Sequence, residues 1–566
     1  MGNIRERRGR TPFQFPAAFT LACAAVCVLA VGICFAAFGI WPAVTAAGSA
    51  SFGTGEPTDA PEPGRGPPDR AFAAVDAYLQ EQIDAMEIPA VAIAIIKDGR
   101  PVHQAAFGSA DDSGRPMTAQ TPVLLASTSK SLTAIAVMQQ VEAGRLELDE
   151  PVLTYLPWFS MRDSRAAAIT VRHLLHQTSG LSTADGSAFG ASDTQDPDAL
   201  EQGVRDLADA SLVSDPGERF TYSNANYNIL GLLVQTVSGQ PFGDYMQDHV
   251  FVPLDMANSH TTRAAARADS LAAGYSLWFG AWWRQTDVPA AATGMPSTTM
   301  YSSAQDLGHE LTALLDGGVY LDRRILRPES VETLLTPRVR VDESKRYAMA
   351  WFARPLLEST SPDALPQADG DLPLLLEHQG EWGNTHTYQA LVPSSGLGLA
   401  LLINGNDTSA PSRLQALDSN VLRILHGQPP QPLTAQEDWL QQYGWAVALG
   451  LLFAEVASLA LALRVLAQKR TGPRSNAAPR RGMIILWTVA AMALDAFLIW
   501  LAFVYAPARF ETYLAVIIHQ FPDVGATLVP ALTVAIVCPL PRTAWLLSRL
   551  RRPSPPLDRT TSRIYS

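Results

Sequence analysis

Cysteine is nearly absent from this 566-residue chain, and all four, Cys23, Cys27, Cys34 and Cys538, lie in apolar runs near the two ends. The central region therefore folds without a disulfide, and it is long enough to bury a core unaided. Cys23 follows Thr20-Leu21-Ala22 with no apolar run before it, which disfavours a lipid attached through cysteine. Lysine is as scarce: Lys97, Lys130, Lys345 and Lys469 are the only four among 42 basic residues, so a lysine beside a candidate nucleophile is conspicuous. The formal net charge is −12, with the acidic excess in the central region, and nucleic acid is excluded as a partner. Charge of either sign is almost missing from several long runs near the ends, and those runs set the organisation of the chain.

Residues 17–41 are apolar behind a basic leader with Arg5, Arg7, Arg8 and Arg10. The run exceeds the roughly 7–15 residues of a cleaved signal core, which favours an uncleaved anchor, although Ala43-Val44-Thr45-Ala46-Ala47 offers a cleavage site. Three further runs, 443–466, 482–505 and 524–547, approach the ~20 residues that cross a bilayer as a helix. Arg464, Lys469, Arg470, Arg474, Arg480 and Arg481 fill one connecting loop, and Arg549, Arg551 and Arg552 the tail; both are expected on the cytoplasmic side. Four crossings then put residues 48–440 outside a bacterial cytoplasmic membrane, with the lipid bilayer as a partner. Glu455 and Asp495 fall mid-segment, where a charge is costly, and are expected neutral, paired or turned into the bundle; a proton or substrate path is the alternative.

The expected units are an anchor or signal peptide (1–47), a flexible Gly, Pro, Ser and Thr-rich linker (48–70), a catalytic domain (71–427), a linker (428–441), a three-helix membrane domain (442–549) and a basic tail (550–566). Within the catalytic domain, Val91–Lys97 and Pro101–Phe107 read as strands joined by a hairpin at Asp98-Gly99. Leu374–Gln379, His386–Val392 and Leu397–Ile403 read as strands near its other end, with helical patterns between. An antiparallel sheet built from both ends of the domain is the expected architecture.

Acyl transfer to serine needs a hydroxyl that can lose its proton, a base within reach and donors aimed at the oxyanion. Ser127-Thr128-Ser129-Lys130 is the only Ser-x-x-Lys in the chain, and on a helix continuing through Leu132–Ala143 the two side chains share a face. Taken alone it also reads as an ordinary helix start capped by Ser127. Its surroundings decide: Gly144-Arg145-Leu146-Glu147-Leu148-Asp149-Glu150-Pro151-Val152, Tyr155-Leu156-Pro157, and Ile169-Thr170-Val171-Arg172-His173-Leu174-Leu175-His176-Gln177-Thr178-Ser179-Gly180-Leu181 resemble the β-lactamase-related serine hydrolases. That family includes class C β-lactamases, penicillin-binding proteins, D-alanyl-D-alanine carboxypeptidases, D-aminopeptidases and esterases, and the resemblance covers about residues 72–427.

The resemblance implies an α/β fold of the β-lactamase/transpeptidase kind: an antiparallel sheet flanked by helices, with an inserted, mostly helical subdomain, here joined to transmembrane helices. It implies Ser127 as nucleophile, Lys130 and Tyr222 as proton carriers, and Asn224 holding the substrate's acyl-side carbonyl, from Tyr222-Ser223-Asn224, the chain's only Tyr-x-Asn. A phenol beside a cationic Lys130 is expected to ionise readily. His378-Gln379-Gly380 stands where class C enzymes carry Lys-Thr-Gly, on a strand expected at the sheet edge. His378 would orient Tyr222 or receive a carboxylate when protonated, and Gln379, replacing a small hydroxylated residue, puts the second role in doubt. The backbone N–H groups of Ser127 and Glu381 are the expected oxyanion donors.

No metal or other cofactor is expected: His173 and His176 lie in a segment that relatives use structurally, without an acidic or cysteine ligand set. Trp278, Phe279, Trp282 and Trp283 read as core packing or as an apolar lip for an acyl chain. The expected substrate is a small peptide, ester or acylated amino acid, and the expected activity that of a peptidase or esterase. A membrane-bound prodrug peptidase removing an N-acyl-D-amino-acid leader, a class C-like β-lactamase and a non-catalytic binding protein are the alternatives.

Overall fold

The alternation of alanine with bulky β-branched residues in Ala90–Lys97 builds a strand with two different apolar faces, and both are covered in the computed structural model, which describes residues 67–356, 373–437, 439–467, 481–537 and 539. Ala90, Ala92, Ala94 and Ile96 enter one core, and Val91, Ile93 and Ile95 enter the other. Burying a β-branched side chain contributes roughly 1.5–3 kcal/mol, so this strand, β1, anchors both layers. It turns at Asp98 (φ 50°) and Gly99 (φ 68°), the left-handed pair a two-residue hairpin requires, into β2, Arg100–Gly108.

The remaining strands of this sheet come from the far end of the domain: β3 (Val339–Arg340), β4 (Arg346–Tyr347), β5 (Phe352–Pro355), β6 (Leu374–Trp382), β7 (Thr385–Val392) and β8 (Leu397–Ile403). Their order is β2-β1-β8-β7-β6-β5-β4-β3, antiparallel throughout, and Val91 pairs with Ile403. One face carries α1 (Pro67–Met86) and α5 (Pro411–Leu425), through Val75, Leu79, Leu414 and Val421. The other carries α2 (Ser129–Glu142), α3 (Asn224–Ser238) and α4 (Ala304–Leu315) in the larger core. Helix α2 is buried over most of its length, its polar Ser129, Lys130, Ser131 and Thr133 included.

The expected strand joining of both chain ends is what the sheet shows, but the strand bearing His378 is not at its edge. β5 pairs with Leu374–Glu377 of β6, and among the described residues no partner continues beyond Glu377 on that side. The half of β6 that carries His378, Gln379 and Gly380 is thus a local edge inside an eight-stranded sheet, facing the start of α2.

Among the described residues, those between 67 and 444 and those of 507–523 form this unit, and those of 445–506 and 524–537 belong to a second. In the second, Glu455 and Asp495 are buried, as expected of charges turned inward. Two helices are long and apolar enough to cross a membrane, Trp439–Ala460 and Ile485–Arg509, and Pro522–Val537 is a shorter apolar helix. The anchor at 17–41, the spacer, most of the basic loop and the tail lie outside the described residues.

Candidate active site

Ala126, immediately before the serine, has φ 50°, a left-handed conformation that an alanine adopts only when its surroundings impose it. The backbone passes from the edge of the larger core through a single 3-10 turn, Ala126–Thr128, into α2, and Ser127 is left half-buried there. Ser127 does not cap the helix. Its Oγ instead lies 3.0 Å from Lys130 Nζ, one turn on, and accepts the Tyr222 hydroxyl at 2.8 Å.

Tyr222 and Asn224 are held at the start of α3 by the segment that carries the family resemblance. Gln177 (φ 59°) accepts the Thr221 N–H on its carbonyl at 2.8 Å and the Ser223 N–H on its side chain at 3.0 Å. Thr183 donates to the Tyr222 carbonyl at 2.8 Å. His173 closes a capping box with Thr170, a structural role, and no group of three or more metal-ligating side chains occurs among the described residues.

Lys130 is fully buried, with Nζ 2.7 Å from Asn224 Oδ1 and 2.8 Å from the Ser297 carbonyl besides Ser127. Burial holds its pKa well below the ordinary lysine range. The hydrogen bonds fit a neutral amine. Two N–H bonds serve the two oxygens that can only accept, and the lone pair is left for the Ser127 hydroxyl. Tyr222 shows the reverse of the expected ease of ionisation: burial drives its pKa up, the Ser127 hydrogen bond offsets this in part, and the Glu381 charge adds to it. An amine whose pKa burial pushes down favours a phenolate less than a fixed cation would, although Nζ lies 5.0 Å from the ring centre. The Ser127 hydroxyl therefore lies between a buried amine and a buried phenol.

Gly380 brings β6 against this turn. A Cβ there would meet the Leu125 carbonyl and Thr387 Oγ1 at 2.2 Å and Ser127 N at 3.1 Å, so only glycine permits the approach. Thr387 donates to the same Leu125 carbonyl at 2.6 Å. This contact brings Gly380, the residue before Glu381, against the Ser127 backbone. His378 is buried with its pKa down to about 3, chiefly through that burial. Its Nδ1 lies 2.7 Å from the Gln379 carbonyl and must donate there, which leaves Nε2 as an acceptor. The ring is 6.2 Å from that of Tyr222. A neutral imidazole gives no cation for a carboxylate, so of the two roles expected for His378 the charged one is lost.

The aromatic cluster divides. Trp278 and Trp283 are structural, the latter donating to the Met86 carbonyl at 2.9 Å, whereas Trp282 is exposed. Two contributors have no sequence signature: the Ser297 carbonyl, because a backbone atom carries none, and residues 507–523, which read only as a connection between apolar runs.

A profile of the family described as Beta-lactamase matches residues 75–420. Protein flp of Staphylococcus aureus strain MW2 is 26% identical over 356 residues, which are 62% of this chain and 66% of that protein. The structure of an octameric penicillin-binding protein homologue from Pyrococcus abyssi superposes with a TM-score of 0.53 at 25% identity, covering 67% of this chain and 81% of that one. D-alanine carboxypeptidase AmpC from Burkholderia cenocepacia shares the fold, with a TM-score of 0.51 at 23% identity over 63% of this chain and 99% of its own.

Proposed function

We propose, on the premise that the chain belongs to the beta-lactamase family, that it is a serine hydrolase working through an acyl-enzyme on Ser127 and acting as a peptidase or esterase on acylated or D-configured amino-acid substrates. One observation carries the reading: the Ser127 hydroxyl is clamped between a buried amine at 3.0 Å and a protonated phenol at 2.8 Å. As Ser127 Oγ bonds to the substrate carbonyl carbon, its proton passes to Lys130. The oxyanion is met by the backbone N–H groups of Ser127 and Glu381. Collapse breaks the bond to the leaving group, which takes the Tyr222 proton, and the phenolate is restored from the Lys130 ammonium. Water then cleaves the ester and frees Ser127. Asn224, whose Oδ1 is held by Lys130, turns its amide N–H toward the substrate's acyl-side carbonyl.

The neutral His378 supports amide and ester substrates over those anchored by a carboxylate, which sets a class C-like β-lactamase second. We also place the catalytic unit outside the cytoplasmic membrane; its support is the two long apolar helices and the basic residues of the connecting loop and tail.

A fluorophosphonate probe should label the full-length protein at Ser127, with no labelling of Ser127→Ala. Lys130→Met should slow labelling by about 10²–10⁴-fold, the range of a general base. Turnover of an N-acyl-D-amino-acid amide should exceed that of a D-alanyl-D-alanine peptide and of a chromogenic cephalosporin. Labelling on another residue would defeat the reading.

A further inference from the structure

Residues 507–523 follow one apolar helix and precede another, yet they pack as part of the catalytic unit. The segment, with its helix Leu514–Gln520, is tied down by four hydrogen bonds. Gln520 Oε1 accepts the Gly383 N–H at 2.7 Å, and Gln520 Nε2 reaches the Gly190 carbonyl at 3.4 Å. Thr512 and Ser187 share a hydrogen bond of 2.7 Å, and Asp523 accepts the Phe279 N–H at 3.0 Å. The approach is close: a Cβ on Gly383 would meet the Gln520 carbonyl at 2.9 Å, and one on Gly190 would meet Val516 Cγ1 at 3.3 Å.

This packing borders an open cavity of about 220 Å³. Asn224 and Glu381, both residues of the catalytic site, line it on one side; Phe189 and Trp382 line it too, with rings stacked 6.0 Å apart, and Val516 and Phe521 close it from the 507–523 segment. The Trp382 indole is fixed by donating to the Pro289 carbonyl at 3.0 Å. Gln415 holds one oxygen of Glu381 at 2.7 Å, so the carboxylate is anchored at this wall. The volume is below the roughly 300–1,000 Å³ of pockets that take a whole drug-sized molecule, and suits one substituent.

We propose that this cavity is the subsite for the acyl-side substituent of the substrate, that it takes an uncharged, apolar group the size of a short aliphatic chain or a single ring, and that Val516 and Phe521 determine its length limit. The proposal rests on the hydrolase reading above and adds what that reading leaves open: the specificity wall comes from the stretch between two apolar helices, outside the residues matched by the family profile. Asn224 would hold the carbonyl while the substituent beyond it enters the cavity, and Glu381 would repel an acidic group.

The test uses the full chain in detergent with the p-nitrophenyl esters of acetic, butyric and hexanoic acids, alongside fluorophosphonate labelling of Ser127. Val516→Trp should lower the ratio of hexanoyl to acetyl kcat/KM by about tenfold or more, the discrimination an apolar pocket gives per methylene. Val516→Ala and Phe521→Ala should raise that ratio, so the proposal survives a misfolded tryptophan variant only if these two shift it upward. Ser127 labelling with an unchanged ratio in the alanine variants overturns the subsite alone. Absence of Ser127 labelling in the unaltered protein overturns the hydrolase reading and the subsite with it.

Discussion

Replacing Lys130 with methionine removes the charge question at the centre of the site while keeping the length of the side chain. In the folded protein burial keeps the lysine pKa well below its ordinary value near ~10.4, so across the interval between the two the unfolded chain binds a proton that the folded chain does not. Stability must then rise with pH over that interval, by about 1.4 kcal/mol per pH unit from this residue, and level off above the ordinary lysine value. The variant loses that slope, because methionine does not titrate. It also leaves Asn224 Oδ1 and the Ser297 carbonyl without their donor, at about 1–3 kcal/mol each, an offset independent of pH. Guanidinium unfolding of both proteins at pH 8, 9 and 10, followed by tryptophan fluorescence, gives the difference in stability at each pH, and contributions from all other groups cancel. The wild type should gain on the variant by about 1.4 kcal/mol per unit. Parallel curves, or a wild type that loses ground as pH rises, would show an ammonium held by its three neighbours and would refute Lys130 as the neutral base.

The rate of Ser127 labelling should plateau below pH 10 in the wild type, since the amine is already free; a rate still climbing there contradicts the same assignment. Glu310 accepts from Gln389 Nε2 at 2.7 Å behind Ser131, and burial pushes its pKa from 4.5 to about 7. Its folded pKa is the higher one, so stability present below pH 4.5 is lost as pH rises toward 7, about 3 kcal/mol in all; Glu310→Gln should abolish that decline in pH-dependent unfolding. For a His378 with its pKa down to about 3, kcat/KM should show no step near the ordinary histidine value of about 6.5, and a step that vanishes in His378→Asn would sink the neutral assignment. Gly380→Ala should slow labelling by about 10²-fold through displacement of the strand from Ser127, with a stability loss of roughly 1–3 kcal/mol from overpacking; a fully active variant argues that the approach of β6 is dispensable.

The alternating alanine and isoleucine of Ala90–Lys97, the Asp98-Gly99 turn and the far pair of strands were readable because side-chain period and turn chemistry act locally. Ser127 and Lys130 have the spacing of a helical turn, but that motif alone also reads as a helix start, and the segments that follow it decided the reading. Tyr222 and His378 needed the family resemblance, since nothing local to either residue points to a serine 95 or 251 positions earlier. The strands Val339–Arg340, Arg346–Tyr347 and Phe352–Pro355 escaped notice because two to four residues carry no period. The protonation states escaped it for another reason: burial of Lys130 and Tyr222 is a property of everything packed around them, and it reversed what their mere adjacency implies.

The pairing of Val91 with Ile403 also fixes an order of events during synthesis. At about 5–20 residues per second, the 312 residues added after Val91 up to and including Ile403 (403 − 91) take roughly a quarter of a minute to a minute to appear. Throughout that time the hairpin Ala90–Gly108 exists with one long side of its most apolar strand unpaired, an open template for any other extended chain. The arrangement that covers both faces of β1 in the finished molecule is thus the one that leaves it uncovered longest. A holdase acting on the nascent chain would have this strand as its principal client.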